Sequence, residues 1–255
     1  MLAIPVDVLI EILEHVDKND LATICRVNKT CCSYSQNVLY RKIYDGNTHV
    51  IQTLARSIDL ARRVRWFNAI SDCPELATAL RNMSSLRRLG YEGFDDDASI
   101  LDGCTFKLDS FSCTYPYSKS LQNFLNSQSS LTILAIYDGV KHPPPFDKTF
   151  LPNLTRVTAK PCWIRMLIPG RPVREVLVIE PWGEEDSIDF SIFTLSTAPI
   201  RKLHISYSAL FPTRVSHIAS IFPFLEHLTI RVYDMDWLVR IPPLYLSIGV
   251  NAQPS

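Results

Sequence analysis

Glycine is scarce, with eight in 255 residues, and none falls in a G-x-G-x-x-G or G-x-x-x-x-G-K-S/T pattern. A phosphate-cradling loop built on backbone N–H groups is therefore excluded on sequence grounds. No G-x-S-x-G elbow, H-E-x-x-H pair or C-x-x-C pair occurs, which removes the common signatures of a serine hydrolase or a zinc site. Charge of one sign is also lacking: twenty-six basic residues balance twenty-six acidic ones. Bulk electrostatics then give no reason to expect nucleic acid or an anionic membrane as partner.

No run of eighteen apolar residues is present, and the best stretch, Trp237 to Val250, is interrupted by Arg240 and Pro242-Pro243. The first twelve residues carry Asp7 and Glu11 and no basic stretch, unlike a secretory signal. The seven cysteines are scattered, unlike a disulfide-stapled secreted scaffold. The expectation is an intracellular protein, cytoplasmic or nuclear, in which Asn28, Asn82 and Asn153 of the Asn-x-Ser/Thr triplets go unmodified. Apolar types reach 47 %, enough for a folded core.

What is present changes character near residue 45. Before it, Val8, Leu9, Ile12, Leu13 and Val16 follow Pro5 at helical spacing. Asn19 or Asp20 can cap a second helix carrying Leu21, Ile24, Cys25 and Val27, which Asn28 and Lys29 end. A third helix is expected to hold Tyr34, Val38, Leu39 and Ile43. About forty residues bury too little surface to be stable alone. Yet the first helix is apolar on more than one side, and each fully buried apolar side chain is worth roughly 1.5–3 kcal/mol. The inference is a docking module that a partner completes.

The run Ile4-Pro5-Val6-Asp7-Val8-Leu9-Ile10-Glu11-Ile12-Leu13, followed by Asp20-Leu21, Cys25-Arg26-Val27-Asn28-Lys29 and Leu39-Tyr40-Arg41-Lys42-Ile43, resembles an F-box. Ile4 stands where the family usually has leucine, and Thr30-Cys31-Cys32 where it usually has an aromatic. The resemblance implies docking on a Skp-family adaptor and, through it, on the cullin and RING subunits of a ubiquitin ligase. The implied adaptor contacts are Ile4, Pro5, Val8, Leu9, Ile12, Leu13, Asp20, Leu21 and Val27. A plain helical cap on a larger domain is the competing reading.

Beyond residue 85 an apolar-x-x-apolar-x-apolar template recurs. It fits Leu86/Leu89/Tyr91, Leu108/Phe111/Cys113, Leu131/Leu134/Ile136, Leu154/Val157/Ala159, Val173/Val176/Val178, Ile200/Leu203/Ile205 and Leu225/Leu228/Ile230. The intervals are 22, 23, 23, 19, 27 and 25 residues. These fall within the spacing of leucine-rich repeats, which the pattern resembles in degenerate form, Cys162 alone standing at the usual Asn/Cys position. The expected fold class is α/β: a short three-helix F-box followed by a curved leucine-rich-repeat-like α/β solenoid. The expected division is 1–45 for the F-box, 46–84 for a helical linker and the start of the solenoid, 85–234 for about seven repeats, and 235–255 for a tail or cap. Unrelated buried strands in an α/β domain are the alternative.

Return helices are expected over Ser118 to Leu125 and Thr213 to Phe222, with a loop at Lys141 to Pro145. Asp95-Asp96-Asp97 and Glu184-Glu185-Asp186 read as solvated turns, Arg62 to Trp66 as an ordinary basic segment, and His204, His217 and His227 as scattered surface groups. No catalytic residue, metal ligand or cofactor is expected. The combined pattern resembles the fungal F-box/leucine-rich-repeat group and implies the substrate receptor of an SCF-type ligase. Candidate target-facing residues are Arg87, Arg88, Arg156, Arg174, Glu175, Arg201, Lys202, Glu226 and His227. The alternative is an interaction scaffold with no ligase role.

Overall fold

The structure, a computed structural model, describes residues 5–69, 73–92, 98–137, 146–147, 149–179, 189–207, 220–232 and 244–249. The return helix expected at Thr213, the loop at Lys141 and the two acidic runs fall largely or wholly outside these residues. The chain divides into two compact units, one of Met1–Asp95 with Ser99–Leu108 and one of Asp96–Ala98 with Asp109–Ser255.

The first unit opens with helices α1 (Val6–Glu14), α2 (Lys18–Ile24) and α3 (Lys29–Arg41). Pro5 precedes α1, and its carbonyl accepts from the Leu9 amide at 3.0 Å. Asp17, rather than Asn19 or Asp20, caps α2: its carboxylate accepts from both of their amides. Asn28 does not end a helix but starts one, accepting from the Cys31 amide as the cap of α3. Each such cap is worth about 1 kcal/mol. Ile43 lies outside α3, in the two-residue strand β1 (Lys42–Ile43), and is buried there. Its β-branched side chain suits a pleated strand better than a helix.

Helices α4 (Thr48–Arg56), α5 (Ile58–Ala61) and α6 (Leu76–Asn82) and strands β2 (Trp66–Ala69) and β3 (Arg88–Tyr91) complete this unit's main elements. Asn82 Nδ2 reaches the carbonyls of Leu54 and Ala55 at 3.2 and 3.0 Å, satisfying the open end of α4. Strands β1, β2 and β3 pair in that order and in parallel, with Phe67 opposite Ile43 and Leu89. The strand at Trp66 adds an eighth triplet of the same kind. Val64, Phe67 and Ala69 are all buried, 22 residues before Leu86.

The second unit contains β4 (Ser110–Cys113), α7 (Lys119–Asn126), β5 (Ile133–Ile136), β6 (Arg156–Ala159), α8 (Pro161–Leu167), β7 (Glu175–Val178), a 3₁₀ turn (Phe190–Leu195), β8 (Lys202–Tyr207), β9 (His227–Val232) and β10 (Leu244–Gly249). Strands β4 to β9 pair successively in parallel, and β10 runs antiparallel to β9 along its other edge. The helix expected over Ser118 to Leu125 is α7, with Ser118 as its cap rather than its first residue. Cys162 lies not in an asparagine-like turn but inside α8, where it is buried.

Every residue of the seven template triplets is 4 % exposed or less. Positions two apart on a strand face the same way, so one parity fills the core and the other, buried Ala135 apart, is left at least partly open. The strands hold common register through a recurring turn in which one carbonyl accepts two successive amides from the next strand's entry. Thr132 O takes Thr155 and Arg156, Thr155 O takes Arg174 and Glu175, and Arg174 O takes Arg201 and Lys202. Phe111 packs edge-on against Phe124 of α7, centroids 5.3 Å apart, which joins strand to helix.

Candidate functional site

Three short helices must close a core while the first remains apolar beyond it. Leu13 of α1 and Leu21 of α2 do the closing: Leu13 is 1 % exposed and Leu21 is likewise buried. Both side chains belong to the core of the free chain, whereas the resemblance implies them as partner contacts. Pro5, Val8 and Ile12 remain exposed, Val8 at 45 % and Ile12 at 48 %, with Leu9 half-buried beside them. At 100° per residue these four positions span about 100° of the helix, one continuous stripe. Val27 in the α2–α3 turn is 67 % exposed, and Asp20 is exposed as well. Ile4 lies outside the described residues. Val6, at 46 % exposed, is a free apolar group that was not singled out from the sequence.

The helices are held from behind. Arg41 on α3 pairs with Glu14 on α1. Arg63 Nη1 donates to the Ser33 carbonyl at 2.7 Å and to Asn37 Oδ1, tying the end of α5 to α3. The apolar stripe thus sits on a backed scaffold, bordered by Asp7 and Glu11, both exposed.

Residues 1–42 match the F-box domain. F-box domains generally bind Skp-family adaptors, and proteins that carry them are generally non-catalytic. Among the curated proteins no match to the chain is found. The F-box match ends within β1, so it covers all three helices and the residues that form the stripe.

The open parity of the second unit's sheet carries the other candidates. Register places Ser110, Ile133, Arg156, Glu175, Lys202 and His227 in one row across β4 to β9. A second row holds Ser112, Ala135, Thr158, Leu177, His204 and Thr229. Arg156 Nη2 pairs with Glu175 Oε2 at 2.7 Å, and Arg201 Nη1 with Glu226 Oε1 at 2.8 Å. Arg174 is exposed just ahead of β7. Arg87 and Arg88 belong to the first unit, where the Arg88 guanidinium lies 5.0 Å from the Trp66 ring centroid. The basic segment ending at Trp66 is thus partly used internally.

His204 was read as a scattered surface histidine but is half-buried in the second row, two residues beyond Lys202. The alternation of the strand places it on the same face. Burial lowers its pKa, the nearby Lys202, Arg156 and His227 lower it further, and Glu175 opposes them. His217 lies outside the described residues. Among the described residues no group of His, Cys, Asp and Glu could hold a metal ion, and no helix is long and apolar enough to cross a membrane.

Proposed function

We propose that this chain is the substrate-recognition subunit of an SCF-type ubiquitin ligase, its F-box docking on a Skp-family adaptor that links it to cullin and RING subunits. The exposed stripe of Pro5, Val8, Leu9 and Ile12 on the F-box match carries the reading. Such a stripe on a small helical unit loses water only when another protein covers it. The receptor's contribution is proximity: it holds a target protein near the ubiquitin-carrying enzyme and supplies no reacting group.

The remainder is proposed as a degenerate leucine-rich-repeat solenoid resembling the fungal group, working in the cytoplasm or nucleus. The buried triplets, their regular spacing and the common parallel register support this. The target would lie on the open row of Arg156, Glu175, Lys202 and His227 in the second unit, with Arg174, Arg201 and Glu226 beside it; Arg87 and Arg88 of the first unit are a separate candidate.

The test is binding of the full chain to a purified Skp-family adaptor by calorimetry. Val8→Asp and Ile12→Asp should each weaken binding by at least about tenfold, since a charge then enters a desolvated contact. Their circular dichroism should match wild type. A folded wild-type chain that does not bind adaptor overturns the ligase reading and leaves the scaffold reading in its place.

A further inference from the structure

The turn between α2 and α3 brings two thiols together. Cys25 is the C-cap of α2, and Cys32 is the fourth residue of α3. Cys25 Sγ lies 3.9 Å from the Cys32 carbonyl oxygen, and the Cys32 thiol is itself within hydrogen-bonding reach of Cys25. Both side chains are half-buried, so a small reagent can approach. A third group faces the same spot. The Ser35 hydroxyl, one turn further along α3, is wholly buried and has no hydrogen-bond partner. Burial raises the pKa of the Cys25 thiol and the neighbouring Cys32 raises it further, while Ser35 opposes them.

We propose that Cys25 and Cys32 form a reversible disulfide, with a small-molecule disulfide such as oxidised glutathione as the oxidant. The Cys32 thiolate attacks one sulfur of the oxidant, making a mixed disulfide and expelling one glutathione thiolate. The Cys25 thiolate then attacks the Cys32 sulfur, breaking the mixed disulfide and expelling the second glutathione. The two protons and two electrons given up by the cysteines leave on two molecules of reduced glutathione.

The other cysteines are poorer partners. Cys31 points about 100° around the helix from Cys32, and bridging adjacent residues would distort the helical peptide between them. Cys73, Cys113 and Cys162 are buried. Burial pushes the Cys104 thiol up to about 11, which suppresses its nucleophile. The proposed bond would pin the turn that carries exposed Val27, whatever that residue contacts. It does not depend on the adaptor reading.

The experiment incubates the full chain with oxidised glutathione, blocks remaining thiols with N-ethylmaleimide and maps the peptides by mass spectrometry. A linked Cys25–Cys32 peptide that a dithiol reductant removes is the expected result, and Cys31→Ser should give the same link. In Cys25→Ser, which cannot resolve the adduct, glutathionylated Cys32 should accumulate at least about tenfold over wild type. A persistent glutathione adduct on wild-type Cys25 or Cys32, a link involving Cys31, or thiols that stay fully blockable would each overturn the proposal.

Discussion

Arg171 Nε donates to the carbonyl of Phe150 at 2.6 Å, and its guanidinium lies 5.7 Å from the centre of the Phe150 ring. The same side chain donates to the carbonyls of Met166, Pro169 and Asp147 at 3.0, 2.9 and 2.9 Å. It is 1 % exposed, so these carbonyls have little water to turn to. Burial lowers its pKa and Asp147 opposes that, but a guanidinium still keeps its charge. One arginine therefore fastens the entry to Phe150, the end of α8 and its own turn before β7. Arg171→Met should lower stability by about 3–5 kcal/mol in urea unfolding, because it leaves a set of buried acceptors without donors. Arg171→Lys should also be destabilised, since an ammonium cannot match the planar fork.

The first helix separates stability from docking residue by residue. Leu13→Ala should cost about 2–5 kcal/mol, the usual range for emptying a closed core site. Ile12→Ala, one position earlier and exposed, should stay within about 0.5 kcal/mol of wild type. Thermal and urea unfolding of the two variants side by side checks the assignment. Equal losses would mean that Ile12 is core.

Gly46 allows the chain to turn against β2. Its amide donates to the Asn68 carbonyl at 2.8 Å, and a Cβ there would stand 2.6 Å from that same oxygen and 2.8 Å from the Phe67 ring. The oxygen belongs to a strand paired on both sides and cannot retreat cheaply. Gly46→Ala should lose about 1–3 kcal/mol, the range for overpacking, read from the urea midpoint at unchanged slope.

His204 should titrate below its ordinary 6.5. Burial comes first among the causes, and its cationic neighbours add to it. A histidine whose folded pKa is depressed binds fewer protons than in the unfolded chain. It therefore removes stability as pH falls through 6.5 and towards the folded value, and costs nothing well above 6.5. The imidazole resonances followed by NMR should show a midpoint that rises in Lys202→Gln and falls further in Glu175→Gln. A midpoint at or above 6.5 would show that the site is more solvated than its burial indicates.

The buried triplets were legible because side-chain alternation along a strand is local. Leu131, Leu134 and Ile136 point inward together whatever strand lies beside them. The F-box run was legible because its apolar spacing and polar breaks lie within forty residues. The triplet at Val64 was not, because Arg62, Arg63 and Arg65 crowd it and make the segment read as a basic one. Arg171 was not legible either: its four acceptors come from positions up to 24 residues away, and an arginine in sequence reads as surface. His204 needed the register of β8 against β7 and β9 before its charged neighbours could be named.

The sequence by itself determined which residues are apolar, at what period they recur and where helices can start, since these follow from the local geometry of the backbone. Tertiary structure decided which apolar residues are covered. Leu13 and Ile12 are neighbours of the same chemical kind, yet α3 and its partners close over one and leave the other bare. Burial is a property of what packs against a residue, and no single residue carries that information.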